Sequence, residues 1–444
     1  MGKKIELYKK YFFELFVLSI PLIVGNISQV LLGAIDVFVA AKHSLDTLSS
    51  ISIGSSVMTC IFIVGIGFMS SISPVVANYR GARKPSKQYL YSSIVYSLVL
   101  SAFFGILTLA IVPLVPKMGF EEHLVYHIQE YIFICAFSYF GAYLHFSLKE
   151  FLQAYEIVVF PNVVAILGIF LNLVLNFAFV FGFWFIPSMG VKGLAIATLA
   201  VRTFMGLILL WYTLRLMNLN IKLSKSYLTQ LIKVGYPISI ALALEFFAFN
   251  GITIIVGRMG GVFAAAQSII ITISSITFMV PLAISNAIAI KVGYANGARD
   301  YSELKRFSIA GVLLTIAFML FCALFLNSSP EFFVKLFTDE KELLMVSVPV
   351  IYVVALYQIF DGAQVAFSGI LKGLKMTKLV SASIFCAYWV MGLPLGFLFA
   401  FHYHMDLLGF WIALAISLLI MGVILLSIIL VKFAKLRKEF EKQE

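Results

Sequence analysis

The chain has 444 residues, 62% of them hydrophobic and only 12% charged, with a formal net charge of +11 and a mean hydropathy of +1.03. Soluble domains carry charge on about a quarter of their residues, so this composition excludes a soluble globule and points to an all-α polytopic membrane protein. The positive balance calls for no nucleic acid, because bases at the ends of membrane spans act as topology signals and meet anionic lipid head groups.

In chain order, the basic start MGKKIELYKK leads into an apolar run far longer than a signal-peptide core, so that run is read as a retained first spanning helix. Apolar runs broken by charged or Pro/Gly-rich connections predict twelve spanning helices, at 13–41, 50–78, 88–116, 124–148, 160–183, 192–217, 230–258, 263–293, 303–327, 345–370, 379–401 and 407–434. With the N-terminus placed in the cytoplasm, 25 of the 32 Lys and Arg fall on the cytoplasmic side and six on the other, while Arg202 lies within a helix. That bias puts both termini in the cytoplasm, and the membrane is expected to be a bacterial inner (plasma) membrane. Cys60, Cys135, Cys322 and Cys386 all fall in apolar runs without CxxC spacing, so neither a zinc site nor a disulfide framework is indicated.

The chain also repeats. Pro21 and Pro237 are each expected to open a long helix, Gly81-Ala82-Arg83 matches Gly297-Ala298-Arg299, and Gly193 matches Gly409, all at an offset of 216. Six spans separate equivalent points, so the repeat is parallel, about an axis along the membrane normal, and a substrate path is expected between the halves. This divides the chain into an N-terminal six-helix lobe, 1–216, a cytoplasmic linker, 217–229, and a C-terminal six-helix lobe, 230–444.

Of 21 Asp and Glu, three lie well inside a span: Asp36, Glu245 and Asp361. A central acid costs about 2.5–3.5 kcal/mol even on lenient insertion scales, so these three are the candidate cation-coupling and substrate site; the bland reading is a buried acid paired for structure. A low-dielectric medium favours the neutral form of a carboxyl group, which lets each acid trade a proton for Na+, a hard cation suited to oxygen ligands. Under the repeat Glu245 matches Gln29, so the acids are no relic of duplication. Asn172 and Asn176 lie four apart on one helix face, where they either ligate a cation with Thr198 or bond between helices. Arg202 is the one base at depth, and a structural role, pairing with an acid or capping carbonyls, is expected of it. His145 is placed at a cytoplasmic helix end, as an interfacial residue.

Enzyme readings find no support. His402 and His404 form an HxH without a third ligand, and no Walker motif is present, so no ATP-driven chemistry and no cofactor are expected. Energy would come from an ion gradient.

At this point the residues carry a resemblance. ELFVLSIPLIVGNISQVLLGAIDVFVA (14–40), SPVVANYRGARK (73–84), LNLVLNFAFVFG (171–182), KGLAIATLAVR (192–202), FMVPLAISNAIAIKVGYANGARD (278–300) and FDGAQVAFSGILKG (360–373) together resemble the multidrug and toxic compound extrusion (MATE) family, in its NorM-like branch. The resemblance implies a V-shaped bundle of two six-helix lobes and a secondary active antiporter that exports organic cations in exchange for Na+ or H+. It also implies that Asp36, Glu245 and Asp361 are the functional acids. Asn176 stands where the sister prokaryotic branch has an acid, which favours Glu245 and Asp361 as the seat of Na+. Ala266, next to Gln267, replaces a His common in that motif; Gln267 joins Asn172, Asn176, Thr198 and Arg202 as a secondary polar candidate. The expected partners are organic cations, the coupling ion and the bilayer, with the chain acting as a monomer. The alternative is a flippase or exporter of a lipid-linked or metabolite substrate; an anionic substrate would call for several bases in the cavity.

Overall fold

The computed structural model describes residues 2–184, 187–217 and 220–441. Among them twelve helices are long and apolar enough to cross a bilayer: α1 Tyr8–His43, α2 Leu45–Gly81, α3 Ser86–Lys117, α4 Glu122–Gln153, α5 Val159–Phe181, α6 Val191–Leu216, α7 Lys225–Met259, α8 Gly261–Ala298, α9 Tyr301–Ser328, α10 Lys341–Gly373, α11 Thr377–His402 and α12 Asp406–Glu441. The shortest, α5, has 23 residues, and at 1.5 Å per residue it is ~35 Å long, enough for the hydrocarbon core. Each of the twelve predicted segments falls on one of these helices. The chain is therefore an all-α membrane bundle. α7 begins at Lys225, so residues 225–229 of the expected linker are already helical, while 218–219 lie outside the described residues.

Two compact units organise the bundle. One, the Glu245 unit, comprises Met1–Ile23, Ala77–Arg83 and Ile240–Glu444; the other, the Asp36 unit, comprises Val24–Val76 and Lys84–Ser239. The chain changes unit inside α1 after Ile23 and inside α7 after Ser239, which are equivalent positions at the offset of 216. Each change follows a proline within the helix, Pro21 or Pro237. A proline has no N–H, so the carbonyls of Val17 and Lys233 lose their helical donor and both helices are softened at that level.

Inside the Glu245 unit, the start of α1 is anchored to α8 and α9. Tyr11 is buried, packs edge-on against Phe307 at 4.8 Å, donates from its hydroxyl to Glu303 Oε1 (2.9 Å) and accepts from Arg306 Nη1 (3.1 Å). Glu14 pairs with Lys291 at 3.0 Å. Apolar packing of α8, α9, α10 and the short helix Pro330–Lys335 adds Ile269, Ile273, Leu326, Val334 and Ile351. Inside the Asp36 unit, Val164 and Ala165 of α5 meet Val201 and Met205 of α6, and this seam brings the polar residues of both helices to one side of α1. His145, expected at an interface, is instead only 2% exposed in the body of α4. The inward faces of α4 and α6 pack closely there, with Gly141 against the backbone of Arg202 and Thr203, and the imidazole is carried inside with them.

α11 departs from regular α-helix. It widens to π-helical winding over Cys386–Gly392 and Leu398–His402, on either side of the turn containing Pro394. Such bulges rotate side chains out of the helical register and recur at functional sites.

Candidate functional site

In the Asp36 unit, α1 presents Asp36 to α5 and α6. Asn172 and Asn176, four apart on α5, both donate to Asp36 Oδ1, at 3.1 and 2.7 Å, and Thr198 of α6 donates to Oδ2 at 3.3 Å. Asn176 Nδ2 also lies 3.2 Å from Asn172 Oδ1, so the three side chains form one amide and carboxylate cluster. Asn176 Oδ1 is buried without a hydrogen-bond partner among the described residues. This places two unspent oxygen sites, one on Asn176 and the lone pairs of Asp36, where a hard cation finds oxygen ligands. The four residues singled out from the sequence here are all brought together.

Arg202 lies one turn along α6 from Thr198, on the same face. Its Nη1 donates to Ser138 Oγ of α4 at 2.9 Å, and its guanidinium lies 4.7 Å from the ring centre of Phe62 on α2. It reaches Asp36 through its field without forming an ion pair with it. Among the described residues it takes neither of the two forms of structural role expected of it, pairing with an acid or capping a carbonyl, and bonds the hydroxyl of Ser138 instead. Beside it is a cavity of about 50 Å3 lined by residues of α2, α4 and α6, among them Thr59, Phe62, Tyr131, Cys135, Thr198 and Arg202. That volume is enough to hold water, which needs about 10–15 Å3 of such space.

In the Glu245 unit, Asp361 of α10 is 3% exposed and accepts from Gln364 Nε2 at 3.0 Å. Glu245 of α7 is half-buried and close enough for its charge to act on Asp361. The field of Lys372, further along α10, reaches Glu245. Gln267 of α8 is fully buried; its Oε1 accepts from Trp411 Nε1 of α12 at 2.9 Å, and its amide nitrogen has no partner among the described residues. The Trp411 ring in turn meets Tyr357 edge-on at 5.2 Å. The widened part of α11 supplies two more groups. Trp389 Nε1 donates to the carbonyl of Leu244 at 3.1 Å, next to Glu245, and the buried Tyr388 stands in the field of both acids.

Tyr357, Tyr388, Trp389 and Trp411 were not singled out from the sequence. With 43 Phe, 20 Tyr and 4 Trp, aromatic residues carry no positional signal of their own. Ser138 was equally invisible, since hydroxyls in spanning helices ordinarily bond the carbonyl one turn back. Across both units the acids are met by amides, hydroxyls and rings.

Comparison with known proteins finds relatives over most of the chain. A probable multidrug resistance protein NorM of Mesorhizobium japonicum is 28% identical over 427 residues, covering 92% of this chain and 91% of that protein. The multidrug resistance protein NorM of Photobacterium profundum is 25% identical over 403 residues, with 88% of each chain covered. In fold, the chain superposes on a Vibrio cholerae MATE transporter with a TM-score of 0.88 at 18% identity, over 97% of this chain and 98% of that one. The MatE family model matches residues 21–178 and 237–398, which together take in Asp36, Asn172, Asn176, Glu245, Gln267 and Asp361. The chain is thus a membrane transporter and not an enzyme, and it belongs to the MatE family.

Proposed function

We propose that the protein is a secondary active antiporter that exports organic cations in exchange for Na+ or H+. The observation that carries this reading is the company its acids keep. Asp36 and Asp361 accept hydrogen bonds from neutral amides and a hydroxyl, and neither stands in an ion pair among the described residues. A carboxylate at membrane depth without a base to neutralise it is stable only when it carries a proton or a bound cation, so proton, Na+ and cationic substrate compete for the same oxygens. Competition of that kind is the requirement of antiport, since each ligand shifts the population toward the state that binds it best. Export rather than import follows from the multidrug resistance names of the relatives.

On this reading the chain works as two six-helix lobes, 1–216 and 230–444, joined by a cytoplasmic linker at 217–229, with both termini in the cytoplasm. It acts as a monomer and needs no cofactor. Na+ is held chiefly by Glu245 and Asp361. The decisive experiment reconstitutes the purified protein in proteoliposomes loaded with ethidium and imposes an inward Na+ or H+ gradient. Ethidium exit that is driven by one of the two gradients, with matching ion entry, is the expected result. Exit that ignores both gradients would remove coupling from the mechanism.

A further inference from the structure

The helix that carries Glu245 is loosely held. Among the twelve spans α7 is the least buried, with only 22% of its apolar stretch covered. Pro237 softens it about two turns before Glu245. An acid on such a helix needs an outside support, because groups that bind an ion have to be held within about 0.5 Å of their working geometry.

α11 supplies that support from a firm seat. It is packed on α12, where Gly396 lies against the ring of Phe410 and Gly409 against the backbone of Phe399 and Ala400. It meets α7 at two points that bracket Glu245. Trp389 Nε1 donates to the carbonyl of Leu244, the residue before Glu245, at 3.1 Å. The Tyr388 ring lies 5.7 Å from that of Phe249, one turn beyond Glu245. Consecutive side chains of an α-helix diverge by about 100°, which would turn one of these two residues away from α7. The π-helical winding over Cys386–Gly392 closes its hydrogen bonds five residues apart, and so narrows the angle between Tyr388 and Trp389. A carbonyl oxygen has two lone pairs, so Leu244 can accept from the indole as well as from its own helix.

We propose that Trp389 is a positioning residue: through the Leu244 carbonyl it fixes the turn of α7 that carries Glu245, and so sets how tightly that carboxylate holds the coupling ion. The proposal rests on the reading that Glu245 takes the coupling ion, and it adds a residue that acts through the backbone of α7 instead of on the ion. Trp389 is 37% exposed, so its replacement opens no sealed cavity and the loss is read at Glu245 rather than in the fold.

The test compares wild type, Trp389→Phe and Trp389→His as purified full-length proteins in proteoliposomes loaded with ethidium. Trp389→Phe keeps an apolar ring and loses the N–H. Trp389→His returns it, because Nε2 of an imidazole takes the same place in its five-membered ring as Nε1 of an indole. The rate of ethidium exit is followed against the concentration of whichever ion drives it, Na+ or H+. In Trp389→Phe the half-saturating concentration should rise roughly two- to tenfold, the worth of one hydrogen bond, with the maximal rate little changed. In Trp389→His it should return toward wild type. Unaltered half-saturation in Trp389→Phe, or a fall in the maximal rate alone, overturns the positioning role and leaves Glu245 standing as the seat of the ion. Failure of Trp389→His to recover any of the loss assigns it to packing of the larger ring and overturns the role equally. A wild type whose ethidium exit ignores both gradients overturns ion coupling and this role together.

Discussion

Gly81 and Gly297 each lie against the other's chain. A Cβ built on Gly81 would run into the carbonyl of Tyr294 and stand 2.9 Å from the amide nitrogen of Ala298, and one built on Gly297 would run into the carbonyl of Asn78 and stand 3.0 Å from the amide nitrogen of Ala82. Residues 78 and 294, like 82 and 298, are partners at the offset of 216, so these are two copies of one contact. The symmetry extends to the turns that follow, where Arg83 and Arg299 adopt the left-handed conformation, with φ of 54° and 58°. Asn296 Nδ2 donates to Asn78 Oδ1 at 2.8 Å, and Asn78 Nδ2 donates to the carbonyl of Gly373 at 2.9 Å, which ties α2, α8 and α10 together at this crossing.

Backbone atoms cannot yield as a flexible side chain does, so Gly81→Ala and Gly297→Ala should each cost about 1–3 kcal/mol through overpacking. The expected outcome is a fall in Tm on the order of 5 °C for each in detergent solution. If both variants melt with wild type, the close crossing of α2 and α8 is not what holds this end of the Glu245 unit.

Pro21 and Pro237 make a second symmetric pair. Each precedes by two residues the point where its helix leaves one unit for the other. Pro21→Ala and Pro237→Ala restore the N–H that the carbonyls of Val17 and Lys233 lack and so stiffen α1 and α7 at that level. Each variant should be at least as stable as wild type, with a Tm equal or higher, and yet transport ethidium more slowly in proteoliposomes. Unaltered transport in the double variant would show that bending at these prolines is not part of the cycle.

Most of the bundle was legible in the sequence, because the bilayer imposes length and apolarity on every span and leaves little room for other solutions. The twelve helices follow from that constraint, and the shared face of Asn172 and Asn176 from helical spacing; that this face and Thr198 meet Asp36 is set by the packing of α1, α5 and α6. What escaped is set by packing rather than by transfer energy. Nothing in CAYWVMG or LFAFH distinguishes π-helical winding from α-helical, so the placement of Tyr388 and Trp389 beside Glu245 was hidden. His145 has the composition of an interface residue and becomes a core residue only because Gly141 lets α4 and α6 approach. The points at which α1 and α7 change unit are marked by their prolines, but the change itself depends on contacts far apart in the chain.

Asp36 is the acid at depth in its half of the chain, and it is bonded by three neutral side chains. Its gain or loss of charge should therefore shift how α1 packs against α5 and α6. Asp36→Asn keeps size and can retain one amide hydrogen bond, so insertion and folding should survive while coupled export is lost. The measurement is drug resistance in cells together with the amount of protein in the membrane. Wild-type resistance at normal expression would remove Asp36 from the mechanism.

The coupling ion is expected chiefly in the Glu245 unit. Glu245 and Asp361 act on one another electrostatically, and the hydrogen bond to Asp361 comes from Gln364, a neutral group. Two carboxylates in a low-dielectric setting do not both stay ionised without a counter-ion, so either they share a cation or one of them holds a proton. Glu245→Gln and Asp361→Asn each remove a formal charge and an oxygen ligand with little change of shape. Sodium affinity of the purified protein, measured by isotope binding at one fixed pH above 7, should fall in both variants, and fall further than in Asp36→Asn. Should the first two bind Na+ as wild type does while Asp36→Asn does not, the ion belongs with Asn172, Asn176 and Thr198, where the unpartnered oxygen of Asn176 already offers it a ligand. Absence of Na+ binding in wild type would assign the coupling to the proton, and the same three variants would then be compared by proton release on addition of ethidium.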